Sequence, residues 1–301
     1  MTGRRVVVLG PTASGKSDVA MAAAQSLGST HIVACDSMQV YRGMDIGTGK
    51  PTAADRAAVP HHGLDLCGPD ERFTVSRYAE EIALAREHIA GAGAHEVIVG
   101  GTGLYLTAVT DGLSVPGEWP DVRAELEADP DTAALYARLA ALDAVAASRI
   151  EPRNRRRIIR ALEVCIGSGA RFSDSGDGVA GFPDDGLVRI GIRWDRDALR
   201  ARIAARVAGM VGAGLADEVR GLLADPGLSG TAAQALGYKE MVDHVEGRTS
   251  LADATAEIVL RTQQFAVRQE RWFRRDPRIT WVDVRSDPVR EVTPLVVGAL
   301  S

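Results

Sequence analysis

Eight consecutive residues, Gly10-Pro-Thr-Ala-Ser-Gly-Lys-Ser17, limit what this chain can be more than any others, because they specify a local fold and a ligand chemistry together. They match GxxxxGK[ST] and stand between an apolar run, Arg4 to Leu9, and a helical pattern that begins near Ser17. A strand–glycine loop–helix unit of this kind turns backbone N–H groups inward around phosphate oxygens and aims a helix N-terminus at them. Gly10, Pro11, Thr12, Ala13, Ser14 and Gly15 form the loop. Lys16 brings a positive charge to the terminal phosphate, and the Ser17 hydroxyl is placed to ligate Mg²⁺. The motif specifies a diphosphate or triphosphate ligand and is silent on what is done with it.

The rest of the chain has to supply a sheet for that unit. The pattern predicts a helix from Ser17 to Leu27, with Val19, Ala20, Ala23, Ala24 and Leu27 on one face and Gly28 as its stop. Further strands are expected at His31–Cys35, Glu96–Val99, Val188–Trp194 and Ile279–Val282, with an amphipathic helix over Ser76–Ala92. Near-continuous apolar strands separated by helices indicate a parallel sheet covered on both faces. From about Leu113 to Gly186 the pattern is helical without strands, and it returns through a polar, glycine-rich stretch, Gly167 to Gly178, expected to be mobile. The expected fold class is therefore α/β. It is a P-loop NTPase-like parallel sheet core, residues 1–112 and 187–301, interrupted by an inserted all-helical domain at 113–186.

Composition narrows the partners. The apolar runs are strand-sized and far short of a membrane span, and no signal peptide is read. Cys35, Cys67 and Cys165 are far apart and form no CxxC pair, so a reducing, cytoplasmic setting is expected. The net charge is −5, which confines any nucleic-acid binding to local basic patches. Two such patches are evident. Arg153 to Arg160 holds five arginines and no acid in eight residues. On a helix, Arg153, Arg156, Arg157 and Arg160 would share one side while Ile158, Ile159 and Leu162 pack inward. Arg261, Arg268, Arg271 and Arg275 recur at helical spacing beside Phe265, Trp272 and Phe273. Either run could be a solvated helix face, but arginine clusters in an acidic chain suit phosphate-backbone contacts. Arg200, Arg202 and Arg206 could return to the core and neutralise a diphosphate.

Phosphoryl chemistry on a P-loop needs an acid near the metal. Asp36, at the end of the His31–Cys35 strand, is the nearby carboxylate by sequence; it is a metal-shell acid, a general base or an exposed strand-end residue. Val97 to Thr102 ends in glycines and a threonine instead. Gly43-Met-Asp-Ile-Gly-Thr-Gly-Lys-Pro51 looks like a second P-loop with the wrong spacing, and reads as a loop near the ligand or a plain turn. Gly100-Gly-Thr-Gly103 is a weak dinucleotide-like cluster. His61 and His62 are adjacent and point apart, which favours structural or hydrogen-bonding roles over a shared metal.

Taken together these segments resemble the bacterial tRNA dimethylallyltransferases, collinearly over nearly the whole chain. The resemblance rests on Gly10–Ser17, Asp36–Pro51, Pro60-His-His62, Val99–Tyr105, Arg156–Glu163 and Ala235–Glu240. It implies transfer of a dimethylallyl group from its diphosphate to N6 of the adenosine immediately 3′ of the anticodon, with Mg²⁺. The partners implied are a tRNA anticodon stem-loop and dimethylallyl diphosphate; a monomer with no membrane association is expected. The same loop leaves nucleotide binding open. By the same resemblance Asp36 is the base and Thr102 a second catalytic residue, while Arg202 joins the phosphate loop on the diphosphate. Ser37, Met38, Gln39, Thr102, Arg123, Arg156, Arg157, Ile158, Ile159, Arg160, Gly237, Tyr238 and Lys239 match positions that contact tRNA. Eukaryotic members often carry a C-terminal zinc finger; this sequence has no Cys or His cluster to form one.

Three other readings compete. An adenylate isopentenyltransferase would prenylate a free nucleotide and would not require the arginine helix. A P-loop nucleotide kinase would have no use for either basic patch. A non-catalytic RNA-binding module would have no use for an intact phosphate loop.

Overall fold

Val6 and Val8 face one side of the sheet and Val7 and Leu9 the other, and all four are buried. A strand covered on both faces cannot alternate apolar with polar residues, which is why β1 (Arg5–Leu9) reads as a continuous apolar run. The computed structural model describes residues 3–113, 115–175 and 181–301. The chain divides into two compact units, Met1–Asp111 with Phe182–Ser301, and Gly112–Gly181.

In the first unit β1 leads through the glycine loop into α1 (Lys16–Leu27), followed by β2 (Thr30–Cys35), α2 (Ala53–Ala58), β3 (His61–His62), α3 (Val75–Gly91), β4 (His95–Gly100) and α4 (Gly103–Thr110). The second unit contains α5 (Pro120–Ala128), α6 (Thr132–Leu142), α7 (Ala144–Arg149) and α8 (Arg155–Ser168), ending in a 3₁₀ turn at Phe172–Ser175. The chain then resumes the first unit with β5 (Val188–Trp194), α9 (Arg196–Gly212), α10 (Leu215–Ala224), a 3₁₀ turn at Ala232–Gln234, α11 (Tyr238–Val245), α12 (Leu251–Phe273), β6 (Ile279–Val284) and α13 (Pro288–Leu300). The strands of the described residues pair in the order β3-β2-β4-β1-β5-β6, all parallel.

This order positions the site. β1 sends the chain across β4 to β2, whereas β4 sends it across β1 to β5, so the onward connections of two neighbouring strands leave in opposite directions. At such a point the loops after the strand ends part and leave a crevice. One face of the sheet is covered by α1 and α13, with Val19, Ala20, Ala23 and Ala24 against Val292, Val296 and Leu300. The other is covered by the larger cluster that draws in α3, α4 and α9 to α12. Gly28 closes α1 in the left-handed region at φ 79°, a conformation that costs a side-chain-bearing residue roughly 1 kcal/mol or more.

Two arginines hold the points where the first unit is interrupted. Arg189, 3% exposed, pairs with Asp111 and Asp185, and Arg278 pairs with Asp111 and Asp276. The chain therefore leaves and re-enters the sheet unit at one place.

In the helical unit Ile158, Ile159 and Leu162 form the core with Leu126, Leu135 and Leu139. Glu163, fully buried, accepts the backbone N–H of Trp119 at 2.9 Å and pairs with Arg123 and Arg160. The polar return predicted to be mobile runs partly through residues outside those described. No helix of the described residues is long and apolar enough to cross a membrane.

Candidate active site

The glycine loop folds as its sequence demands. Gly15 sits at φ 90° just before α1, and a side chain there would also run into Pro288. Ala13 adopts φ 62° as well. The loop is held from several sides: Arg202 Nε donates to the Ala13 carbonyl at 2.8 Å, and the Trp194 indole donates to the Ser14 carbonyl at 2.9 Å. The Arg202 guanidinium lies over the Trp194 ring, 4.4 Å from its centroid.

Beside the loop is a cavity of about 750 Å³, lined by Thr12, Lys16 and Ser17 from the loop, by Asp36 to Gln39 after β2, and by Thr102 after β4. Gly47 to Gly49 and the Gln234–Glu240 segment close other walls, together with Arg206 of α9 and Arg268 and Gln269 of α12. A second cavity of about 1170 Å³ shares Lys16, Ser17 and Arg206 with the first and is also lined by Arg42, Arg56 and Arg202.

Asp36 follows the last residue of β2, and its Oδ1 accepts the Met38 N–H at 2.8 Å. The Thr102 hydroxyl accepts the Ser37 N–H at 3.3 Å, tying the end of β4 to the end of β2. Gln269 makes the third link. Its carbonyl accepts the Thr12 N–H at 2.9 Å, and its amide donates to the Gly101 carbonyl at 2.9 Å. The loops after β1, β2 and β4 are thus joined in series around one space. Burial and then the neighbouring Arg206 pull the Lys16 ammonium down to about 8. Burial also lowers Arg206, against the opposing pull of Asp36 and Asp18.

The sequence-derived candidates divide. Thr12, Lys16, Ser17, Asp36, Ser37, Met38, Gln39, Thr102, Gly237, Tyr238 and Lys239 share the first cavity. Ala13, Gly15 and Arg202 face the second, and Gly10, Pro11 and Ser14 shape the loop without lining either. Arg200 is exposed, pairs with Asp197 and lines neither cavity. Of the residues read as tRNA contacts, Ile158 and Ile159 require correction: at 0% and 4% exposure they lie in the helical core and support the helix that carries the arginines. Arg160 and Arg123 are half-buried on Glu163, and Arg160 also donates to the Pro116 and Gly117 carbonyls. Arg153 precedes α8, whereas Arg156 and Arg157 stand exposed on its first turn with no ion pair or hydrogen bond from their side chains among the described residues.

The second basic face is less uniform than its spacing suggests. Arg261 is bound to Glu240 and Glu257, Phe273 is buried, and Arg275 lies past the end of α12, over Trp272 at 4.4 Å. Arg268 and Arg271 remain: Arg268 lies over Phe265 at 5.7 Å and on the cavity wall, and Arg271 is exposed in the last turn of α12.

The resemblance of Gly43–Pro51 to a phosphate loop has a different explanation. Lys50 is not aimed at a ligand: its side chain is fully buried, donating to the Tyr41 carbonyl and pairing with Asp45 and Asp65. Gln269 is marked by no motif, whereas the sequence groups Arg206 with Arg200 and Arg202 as a cation for a diphosphate and Arg268 with the C-terminal basic face; all three line the first cavity. A single glutamine between arginine and glutamate carries no sequence signal. Arg206 shares its helix with Arg202, one turn away.

The family model described as IPP transferase matches residues 39–276, and that described as isopentenyl transferase matches residues 4–59. A tRNA dimethylallyltransferase of Streptomyces coelicolor is 45% identical, with 99% of this chain and 95% of that protein covered. One from Kineococcus radiotolerans is 44% identical over 94% and 92%. The crystal structure of the full-length tRNA isopentenylpyrophosphate transferase from Bacillus halodurans superposes with a TM-score of 0.71 at 36% identity, covering 99% of this chain and 97% of that one. On fold and sequence alike, the chain belongs to the IPP transferase family.

Proposed function

We propose that this chain transfers a dimethylallyl group from dimethylallyl diphosphate to N6 of the adenosine at position 37 of tRNA, immediately 3′ of the anticodon, releasing diphosphate. The observation that carries the reading is the shared cavity: a phosphate-holding loop on one wall and the Asp36 carboxylate at the neighbouring strand ends. The relatives' names supply the substrate class.

The chemistry suits the residues. The exocyclic amine of adenine is a poor nucleophile because its lone pair is delocalised into the ring. As the N6–C1 bond forms, the C1–O bond of the donor breaks and diphosphate departs with the electron pair. Asp36 takes the proton that N6 loses. Lys16 and Arg206 line the shared cavity and Arg202 the second one, where they would meet the negative charge that grows on the leaving group in a low dielectric. Thr102 orients the Asp36–Gln39 turn through the Ser37 N–H. The base has to leave the anticodon-loop stack to reach the donor. Ser37, Met38, Gln39 and the Gly237–Lys239 segment offer the walls for it, while Arg156 and Arg157 offer charge for the tRNA backbone.

Mg²⁺ fits the donor set. No three His, Cys, Asp or Glu side chains converge on a metal position among the described residues. A hard oxygen from Ser17 beside the diphosphate oxygens is the sparse protein ligation that Mg²⁺ accepts. When bound it would supply charge neutralisation on the diphosphate. A cytoplasmic setting accords with three free cysteines, of which Cys35 has its thiol pushed up to about 12 by burial.

The test offers dimethylallyl diphosphate and Mg²⁺ with unmodified tRNA, or with AMP, followed by nucleoside mass analysis. N6-dimethylallyladenosine in tRNA and none on AMP is expected; product on AMP alone overturns the tRNA reading.

A further inference from the structure

The loop that mimics a second phosphate site already holds an anion, and the chain provides it. Glu218, in the first turn of α10, accepts the backbone N–H groups of Asp45 and Ile46 on Oε2, at 3.0 and 2.7 Å. Its Oε1 accepts Gly47 N–H at 3.3 Å and the Tyr238 hydroxyl at 2.6 Å. Three successive amides converging on one carboxylate form the concavity with which backbone loops hold phosphate. Gly47 is required beside it, because a side chain there would overlap the ring of the fully buried Tyr238.

The consequence lies one residue further along. The Thr48 carbonyl accepts Arg206 Nη2 at 3.3 Å and Gln39 Nε2 at 3.2 Å, and the Gly49 carbonyl also accepts Gln39 Nε2 at 3.3 Å. Arg206 lines both cavities beside Lys16. A turn fixed at three amides by one carboxylate, and clamped at its far end by Lys50 on Asp45 and Asp65, has little freedom to move those carbonyls.

We infer that Glu218 is a positioning residue for transfer: as an internal anion in the Asp45–Gly47 amide nest, it sets the Thr48 carbonyl and through it aims Arg206 at the donor diphosphate. This rests on the proposed reading of the cavity as the site of dimethylallyl transfer. Glu218 touches no reacting atom. The charge is what the nest binds, so an uncharged side chain of the same size holds the turn less well.

The experiment is a double-mutant cycle between Glu218→Gln and Arg206→Lys, reading KM for dimethylallyl diphosphate, kcat and thermal unfolding. Loss of a charge-assisted contact predicts that Glu218→Gln raises the donor KM about tenfold. In the Arg206→Lys background the same change adds less than about twofold, because the two act in series. A residue that served stability alone would reduce the active fraction and leave the KM of the folded protein unchanged. Glu218→Asp, which keeps the charge but falls short of the nest, replaces Glu218→Gln should that variant fail to fold, and a smaller rise in donor KM, still above about twofold, is expected of it. An unchanged donor KM, or effects that multiply fully in the double variant, overturns the inference. Failure of the unaltered protein to prenylate tRNA would instead overturn the function on which it rests.

Discussion

Replacing Asp36 by Asn keeps an oxygen for the Met38 N–H and removes the charge that lets the side chain take a proton. Loss of a positioned base costs about 10²-fold to 10⁴-fold in rate, so single-turnover transfer by Asp36→Asn should fall by that range while tRNA binding persists. Equal loss of both would mark Asp36 as structural. Lys16 makes a prediction in pH. Burial holds its ammonium down to about 8, so the cation that would meet the diphosphate is present below that pH and lost above it. Donor kcat/KM should therefore be level from neutral pH to about 8 and decline beyond; a level profile through pH 9.5 would contradict the assigned role. At this scale the motif residues were legible because each has a fixed offset in the phosphate loop. Gln269 was not, since its two hydrogen bonds join residues 257 and 168 positions away. No local pattern encodes such a contact.

Elements carry the next set of expectations. The arginine helix was legible as an amphipathic pattern, and its period correctly divided Ile158 and Leu162 from Arg156 and Arg157. What the period could not convey was the buried Glu163, which draws Arg160 and Arg123 inward and leaves fewer free cations than the run implies. Converting both Arg156 and Arg157 to Ala should weaken tRNA binding and lower the slope of log K against log salt by about 2, with donor KM unchanged. Ile158→Ala should lower stability by roughly 2–5 kcal/mol in urea unfolding through the cavity it leaves. If that variant instead lost tRNA affinity without loss of stability, Ile158 would be a contact residue after all. β3 shows the opposite limit. Two histidines form too short a strand to leave a periodic signal, and only their pairing with Ile32 and Val33 of β2 makes them one.

For the whole molecule, the strand order explains why one cavity collects the loops after β1, β2 and β4, and why those loops read as unrelated glycine clusters along the chain. Alternation of apolar strands and helices was sufficient to predict a parallel sheet with a helical interruption, because both faces of such a sheet are buried. The pairing order was not legible, since it depends on which strand edges meet across long separations. In this mechanism the diphosphate is a leaving group rather than a source of transferable phosphate. The most direct test is the balance of products: diphosphate and N6-dimethylallyladenosine measured together, with dimethylallyl diphosphate as donor and ATP in a parallel reaction. One diphosphate per prenylated adenosine in tRNA, and no phosphate transfer from ATP, is the predicted result. Phosphate transfer from ATP without a new C–N bond would contradict it.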